Sequence, residues 1–261
     1  MASSTMNTVI RHPALLLVLA SVVSAQSPLE NGGKPMRVLY ECTAADTQAA
    51  GLGCSEEDPC PVYLELANVE AVGGKLFVTG NIHTAMATLY SILLASEDNG
   101  TSWTEPHPRL RWSGLDQIQF VDFQNGWVSG ANLTSAPRDP FLLITTDGGK
   151  TWRERPIFEE TRVAAIEGFW FDSSANGTLL IDASLDDGKR ELYETRTGGE
   201  SWAIRQTSAD PIRLPKEKQM SASVWRVRTD GATHSYVIEQ SGNNRWKRVA
   251  SFLVNIASCK E

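Results

Sequence analysis

The sequence predicts an all-β protein, a β-propeller built from repeated antiparallel sheets, and three observations lead there. A tight polar turn ending on tryptophan recurs four times, with Trp103, Trp152, Trp202 and Trp246 spaced 49, 50 and 44 residues apart. Each turn follows a short run with strand character: Ile92-Leu93-Leu94, Leu142-Leu143-Ile144, Glu191-Leu192-Tyr193 and Tyr236-Val237-Ile238. Upstream of each run, alternating segments are broken by glycine turns. Self-similarity at a fixed period marks a repeat architecture, and strand-turn-strand units of this length suit four-stranded blades.

The clearest copy runs from Leu142 to Trp152. Large apolar and β-branched residues favour a pleated strand. Asp147-Gly148-Gly149 then supplies hairpin chemistry, an aspartate for nearby amides and glycines for positive φ. Trp152 is an anchor for a neighbouring sheet. The first copy offers Ser96, Asp98, Gly100 and Trp103 in register with Thr145, Asp147, Gly149 and Trp152. The third keeps Gly199 and Trp202 but has Thr197 for the aspartate. The fourth keeps Trp246, with Ser241 for the aspartate and Asn243 for the glycine.

These residues resemble the Asp-box (BNR) repeat, Ser/Thr-x-Asp-x-Gly-x-Thr/Ser-Trp. The resemblance implies a propeller whose boxes pin hairpins and say little about chemistry. Four repeats imply four blades, or five if the chain ends assemble another.

Residues 1–25 form the expected signal peptide. Arg11 and His12 precede the apolar core Ala14–Ala20, and Val23-Ser24-Ala25 offers small residues for cleavage. The protein is therefore expected to be exported, to a periplasm or outside the cell. Cleavage removes one arginine and no acid, moving the net charge from −7 to −8. That balance argues against general nucleic-acid binding.

Residues 26–61 read as a lead-in carrying a cysteine cluster, and residues 62–261 as the propeller. Met36–Tyr40 has strand character. Cys42, Cys54 and Cys60 lie close together, whereas Cys259 is near the C-terminus. In an exported chain four cysteines suggest two disulfides, with three possible pairings. The preferred pairing is Cys54–Cys60 with Cys42–Cys259, which would fasten the two ends of a closed propeller. The cysteine spacing matches no familiar zinc pattern; neither metal nor cofactor is expected.

The repeat can be followed strand by strand. Val62–Leu66 and Leu76–Gly80 begin the first, Ile118–Phe123 and Trp127–Gly130 the second, Ala165–Phe171 and Thr178–Ile181 the third. The fourth keeps only Val224–Arg228 and Gly231. Phe120-Val121-Asp122-Phe123, Asn125-Gly126-Trp127-Val128 and the following Thr145–Trp152 resemble a blade of the Ycf48/Hcf136 family of photosystem II stability and assembly factors. That resemblance implies an extracytoplasmic, non-catalytic propeller that holds a protein or membrane-protein complex. The family usually has seven blades, and four repeats are readable here.

Asp-boxes also occur in sialidases and other glycoside hydrolases, which makes a glycan-binding or glycan-cleaving protein the alternative. The string Arg213-Leu214-Pro215 falls after the third box, where a sialidase arginine motif would not lie. Glu56-Glu57-Asp58, Glu159-Glu160 and Asp186-Asp187 read as solvated acidic loops. No nucleophile or phosphate-loop signature is present. Arg109, Arg111, Trp112 and Arg138 remain as candidate partner-binding residues, because arginine and tryptophan are favoured interface anchors. The expectation is a monomer that binds a protein.

Overall fold

The computed structural model describes residues 27–212, 224–243 and 245–260; the expected signal peptide lies outside them. The lead-in holds β1 (Leu29–Glu30) and α1 (Ala44–Ala50). Sheet 1 contains β2 (Cys60–Val72), β3 (Lys75–His83) and β4 (Thr88–Ser96), and the short β5 (Ser102–Trp103) follows. Sheet 2 is β6 (Ser113–Phe120), β7 (Gly126–Asn132), β8 (Arg138–Thr145) and β9 (Arg153–Pro156). Sheet 3 is β10 (Ala165–Phe171), β11 (Gly177–Ala183), β12 (Lys189–Thr195) and β13 (Ala203–Ser208). Sheet 4 has three described strands, β14 (Trp225–Asp230), β15 (Ser235–Gly242) and β16 (Arg245–Leu253). Finally β17 (Asn255–Cys259) joins sheet 1 beside β2. All ladders between these strands are antiparallel.

The sheets stand face to face, the arrangement of propeller blades. A sheet in the middle of such a stack buries both faces, so its central strand should be a continuous apolar run. β8 shows this alternation directly. Phe141 and Leu143 join the apolar cluster shared with sheet 1, whereas Leu142 and Ile144 join the cluster shared with sheet 3. A third cluster joins sheet 1 to sheet 4 through Leu64, Leu76, Ile92, Ile238 and Phe252. The stacking order is therefore 4-1-2-3.

Each seam is plugged by a turn tryptophan. Trp103 is fully buried and lies edge-to-face with Phe252 of sheet 4 at 5.3 Å between ring centroids. Trp152 meets Phe77 of sheet 1 in the same manner at 6.0 Å. Trp202 packs in the cluster between sheets 2 and 3, where Trp127 stacks on Phe171 at 3.7 Å.

The turns explain why aspartate and glycine sit where they do. Asp147 Oδ1 accepts the amides of Lys150 and Thr151, and its Oδ2 accepts the Thr151 hydroxyl. Asp98 does the same for Thr101 and Ser102. These bonds, led by those from Ser102 and Thr151, lower both carboxyls from the ordinary 3.8 to about 2. In the third turn the Thr197 hydroxyl accepts the Ser201 amide and shares a hydrogen bond with the Ser201 hydroxyl at 2.9 Å. Gly149 has φ +80°, and a Cβ there would lie 2.4 Å from the Phe77 ring. Both the backbone angle and the neighbouring sheet require glycine.

The C-terminal strand and the N-terminal lead-in meet at sheet 1. β17 does pair with β2, and the disulfides join Cys42 to Cys259 and Cys54 to Cys60. Yet among the described residues no apolar cluster joins sheet 3 to sheet 4. Beside the outer edge of sheet 1, β1 pairs with β5 in a two-stranded sheet, and Thr104 bridges to Ala95 of β4. The expected strand at Met36–Tyr40 reduces to one bridge from Met36 to Phe252.

Candidate functional site

The face of sheet 4 turned away from sheet 1 joins no apolar cluster with sheet 3 among the described residues. Strand register shows what occupies it. Where β3, β7 and β11 place Leu76, Gly126 and Gly177 opposite Ser96, Thr145 and Thr195, β14 places Arg226 opposite Glu239. Where those strands have Val78, Val128 and Leu179, β14 has Arg228, opposite Val237. Two arginines and a glutamate thus stand at positions that hold small or apolar residues elsewhere.

These groups form one network. Arg226 Nη2 lies 2.7 Å and Arg228 Nε 3.1 Å from the carboxylate of Glu239, which is itself buried. Burial opposes ionisation of Glu239, but hydrogen bonds from both arginines outweigh it and lower its pKa. Arg248 pairs with Asp230 at 2.7 Å. The Arg226 guanidinium stacks over Trp246 at 4.0 Å from the ring centroid, a cation–π contact. Trp246 is 40% exposed, against 0% for Trp103 and 9% for Trp152. The arginine side chains are each about two-fifths exposed. The result is a basic and aromatic face presented to solvent.

The four residues singled out from sequence lie elsewhere. Arg109 makes a two-pronged pair with Glu105, at 2.6 and 2.8 Å, and donates to the Leu39 carbonyl. Arg111 donates to Asp46 and to the Tyr90 hydroxyl, and its guanidinium lies over the rings of Tyr90 and Trp112. Trp112 is half-buried against the cluster of sheets 1 and 4. Arg138 opens β8 opposite Asn132, with its Nε buried and without a hydrogen-bond partner. Among the described residues no hydrogen bond or ion pair joins Arg138 to the other three.

Arg109 and Arg111 work as a latch. α1 is capped by Thr43 and Asp46, and the buried Asp46 accepts hydrogen bonds from Tyr40, Tyr90, Thr43 and Arg111. Burial first, then the Asp46 charge, push the Tyr40 hydroxyl well above its usual range. The cleft here, lined by Leu39, Tyr40, Thr43, Tyr90 and Arg109, is framed by groups already paired with one another.

A second depression opens among the inner strands of sheets 1, 2 and 3. It has a volume of about 270 Å³, and Glu65, Asn81, Asp116 and Ser129 contribute its polar groups. Burial, then the Glu65 charge, raise the Asp116 carboxyl above the usual range. Glu65 accepts a hydrogen bond from Asn81 at 3.0 Å.

Sequence reasoning passed over Arg226, Arg228 and Arg248 because Trp225-Arg226-Val227-Arg228 reads as ordinary strand alternation. A signal was present in the composition. Residues 224–253 carry five lysines and arginines and two acids in a chain of net charge −7.

No protein-family model matches the chain. An oligoxyloglucan-reducing end-specific xyloglucanase from Emericella nidulans is 34% identical over 67 residues, which are 25% of this chain and 8% of that protein. The chain thus spans less than a tenth of that relative. Among solved structures, YCF48 bound to D1 peptide aligns with 73% of this chain and 54% of its own, at 16% identity and a TM-score of 0.41. YCF48 from Cyanidioschyzon merolae gives a TM-score of 0.40 at 15% identity, covering 73% of this chain and 57% of its own. The GH74 xyloglucanase from Xanthomonas campestris also gives 0.40, at 14% identity, covering 70% and 28%.

Proposed function

We propose that the chain is an exported, non-catalytic Asp-box propeller of four blades that binds a protein partner. The observation carrying this reading is the exposed Trp246–Arg226 stack, flanked by Arg228 and Arg248, on the face of sheet 4 turned away from sheet 1. Tryptophan and arginine dominate binding energetics at protein interfaces. A basic face on an acidic chain also steers an acidic partner toward one end of the molecule. The resemblance to assembly factors adds the expectation that this partner is a component of a membrane complex.

The test is affinity capture from membranes of the native host, comparing the tagged protein with Trp246→Ala/Arg248→Glu. One complex recovered by the parent and lost by the variant supports the reading. Equal recovery by both removes this face from the function.

A glycan reading rests on one observation, the depression holding Asp116 beside Glu65. A pair of neighbouring carboxyl groups is the equipment of glycoside hydrolysis. Release of reducing sugar from xyloglucan, abolished by Asp116→Asn, would replace the protein-binding reading with this one.

A further inference from the structure

Three stretches fit the pattern Asn-x-Thr that directs N-linked glycosylation of secreted chains: Asn99-Gly100-Thr101, Asn132-Leu133-Thr134 and Asn176-Gly177-Thr178. The structure sets one of them apart. A sugar transferase must reach two groups at once, the asparagine amide that is modified and the threonine hydroxyl two residues on. In the first stretch Asn99 sits inside the Asp98–Ser102 turn at φ 56°, and the Thr101 hydroxyl donates to the Asp98 carbonyl. In the third, Asn176 Nδ2 donates to the Ser173 hydroxyl, and Thr178 is buried in β11. In both, the turn or the sheet already uses a group that a transferase needs.

The middle stretch is built differently. Asn132 ends β7, where its backbone pairs with Ser113 on one side and Arg138 on the other. Residues 133–137 then leave the sheet before β8 begins. Thr134 and Ser135 are exposed. Asn132 Oδ1 accepts the Thr134 amide at 3.1 Å, a turn that holds the asparagine side chain against the residue whose hydroxyl completes the pattern. That bond uses Oδ1 and leaves Nδ2, the atom a sugar joins, outside it. A fixed base with an exposed polar tip suits a bulky, hydrophilic attachment.

We propose that Asn132 carries an N-linked glycan. This rests on the export part of the reading above, because only a chain that enters a secretory compartment meets the transferase. The two disulfides are the bonds such a compartment forms. In the transfer, Asn132 Nδ2 attacks the anomeric carbon of a lipid-linked oligosaccharide. A C–N bond forms, the bond from that carbon to the diphosphate oxygen breaks, and the amide gives up a proton as the lipid diphosphate departs. The position has a consequence for the neighbouring depression. Leu133 and Pro137 line it together with Glu65 and Asp116, so the sugar would stand at its mouth and hinder a polysaccharide from entering. Sheet 1 stands between this glycan and sheet 4, so the sugar would leave the Trp246–Arg226 stack uncovered.

The experiment expresses the tagged full chain in its native host, purifies it from the extracytoplasmic fraction and measures its intact mass before and after peptide-N-glycosidase. Treatment should remove one glycan and convert Asn132 to aspartate, which peptide mass spectrometry locates. Asn132→Gln and Thr134→Ala should each abolish the mass loss. Thr134→Ser keeps the hydroxyl and should keep the glycan, which separates loss of the pattern from loss of the fold. An extracytoplasmic protein of unmodified mass, or one modified at Asn99 or Asn176 with Asn132 bare, overturns the proposal and leaves the export reading standing. A protein confined to the cytoplasm overturns both.

Discussion

Trp103 and Trp246 occupy equivalent places in their repeats yet carry opposite duties. Trp103 is sealed between sheets 4 and 1, where its indole donates to the Gly100 carbonyl. Trp246 stands in solvent with Arg226 laid over it. Trp103→Ala should therefore cost about 3–5 kcal/mol, the cost of emptying a large aromatic site. Trp246→Ala should stay within about 1 kcal/mol, as surface changes usually do. Urea denaturation of the two variants measures both, and equal losses would mean that Trp246 fills a seam after all. The tryptophans were legible from spacing. Their different fates were not, because these depend on which sheet stands behind each one. Arg226 and Arg228 were hidden for the same reason: a strand with alternating arginines reads identically whether its outer face meets water or a neighbouring sheet.

The turn is the element in which sequence and structure agree most closely. Serine or threonine, aspartate, glycine and tryptophan each have a bond or a contact that accounts for them. The Ser96 and Thr145 hydroxyls accept the amides of Gly100 and Gly149, completing the set. Because Asp98 and Asp147 are held at about 2 in the folded protein, their contribution is fully present above the ordinary carboxylate range. It is lost as pH falls from about 4 toward 2. Asp147→Ala should remove about 1–2 kcal/mol at neutral pH, and the variant should lose less stability than the parent on acidification. Thermal melts at pH 7 and pH 2.5 check this; a parent and variant with the same acid sensitivity would show that the turn carboxylates do not govern it. Elements with no repeat behind them were harder to read. β1 is two residues long, α1 lies in a loop-like composition, and β17 is defined by its partner β2 rather than by its own pattern.

At the scale of the whole molecule, the Cys42–Cys259 bond closes a separation of 217 residues. A link over that length removes much entropy from the unfolded chain, on the order of 3–5 kcal/mol in the loop-closure account. Cys42→Ser/Cys259→Ser should lower the melting temperature clearly, whereas Cys54→Ser/Cys60→Ser, spanning six residues, should do less. Calorimetry under matched conditions distinguishes them, and a reversed order would place the stability elsewhere. Fastening the ends was legible from the chemistry of an exported chain with cysteines at both termini. Among the described residues the repeats stack in the order 4-1-2-3, with charged residues on the face of sheet 4 turned away from sheet 1.

That order brings the two ends of the described chain together where sheet 4 meets sheet 1, joined through the pairing of β17 with β2. The gene order and the spatial order are therefore offset by one repeat. A circular permutant opened between Ile212 and Trp225, with residues near 27 and 260 joined by a short linker, would have gene order and spatial order coincide. Its sheets would follow one another as consecutive neighbours from 4 through 1 and 2 to 3. In such a chain each sheet could dock on the one made just before it.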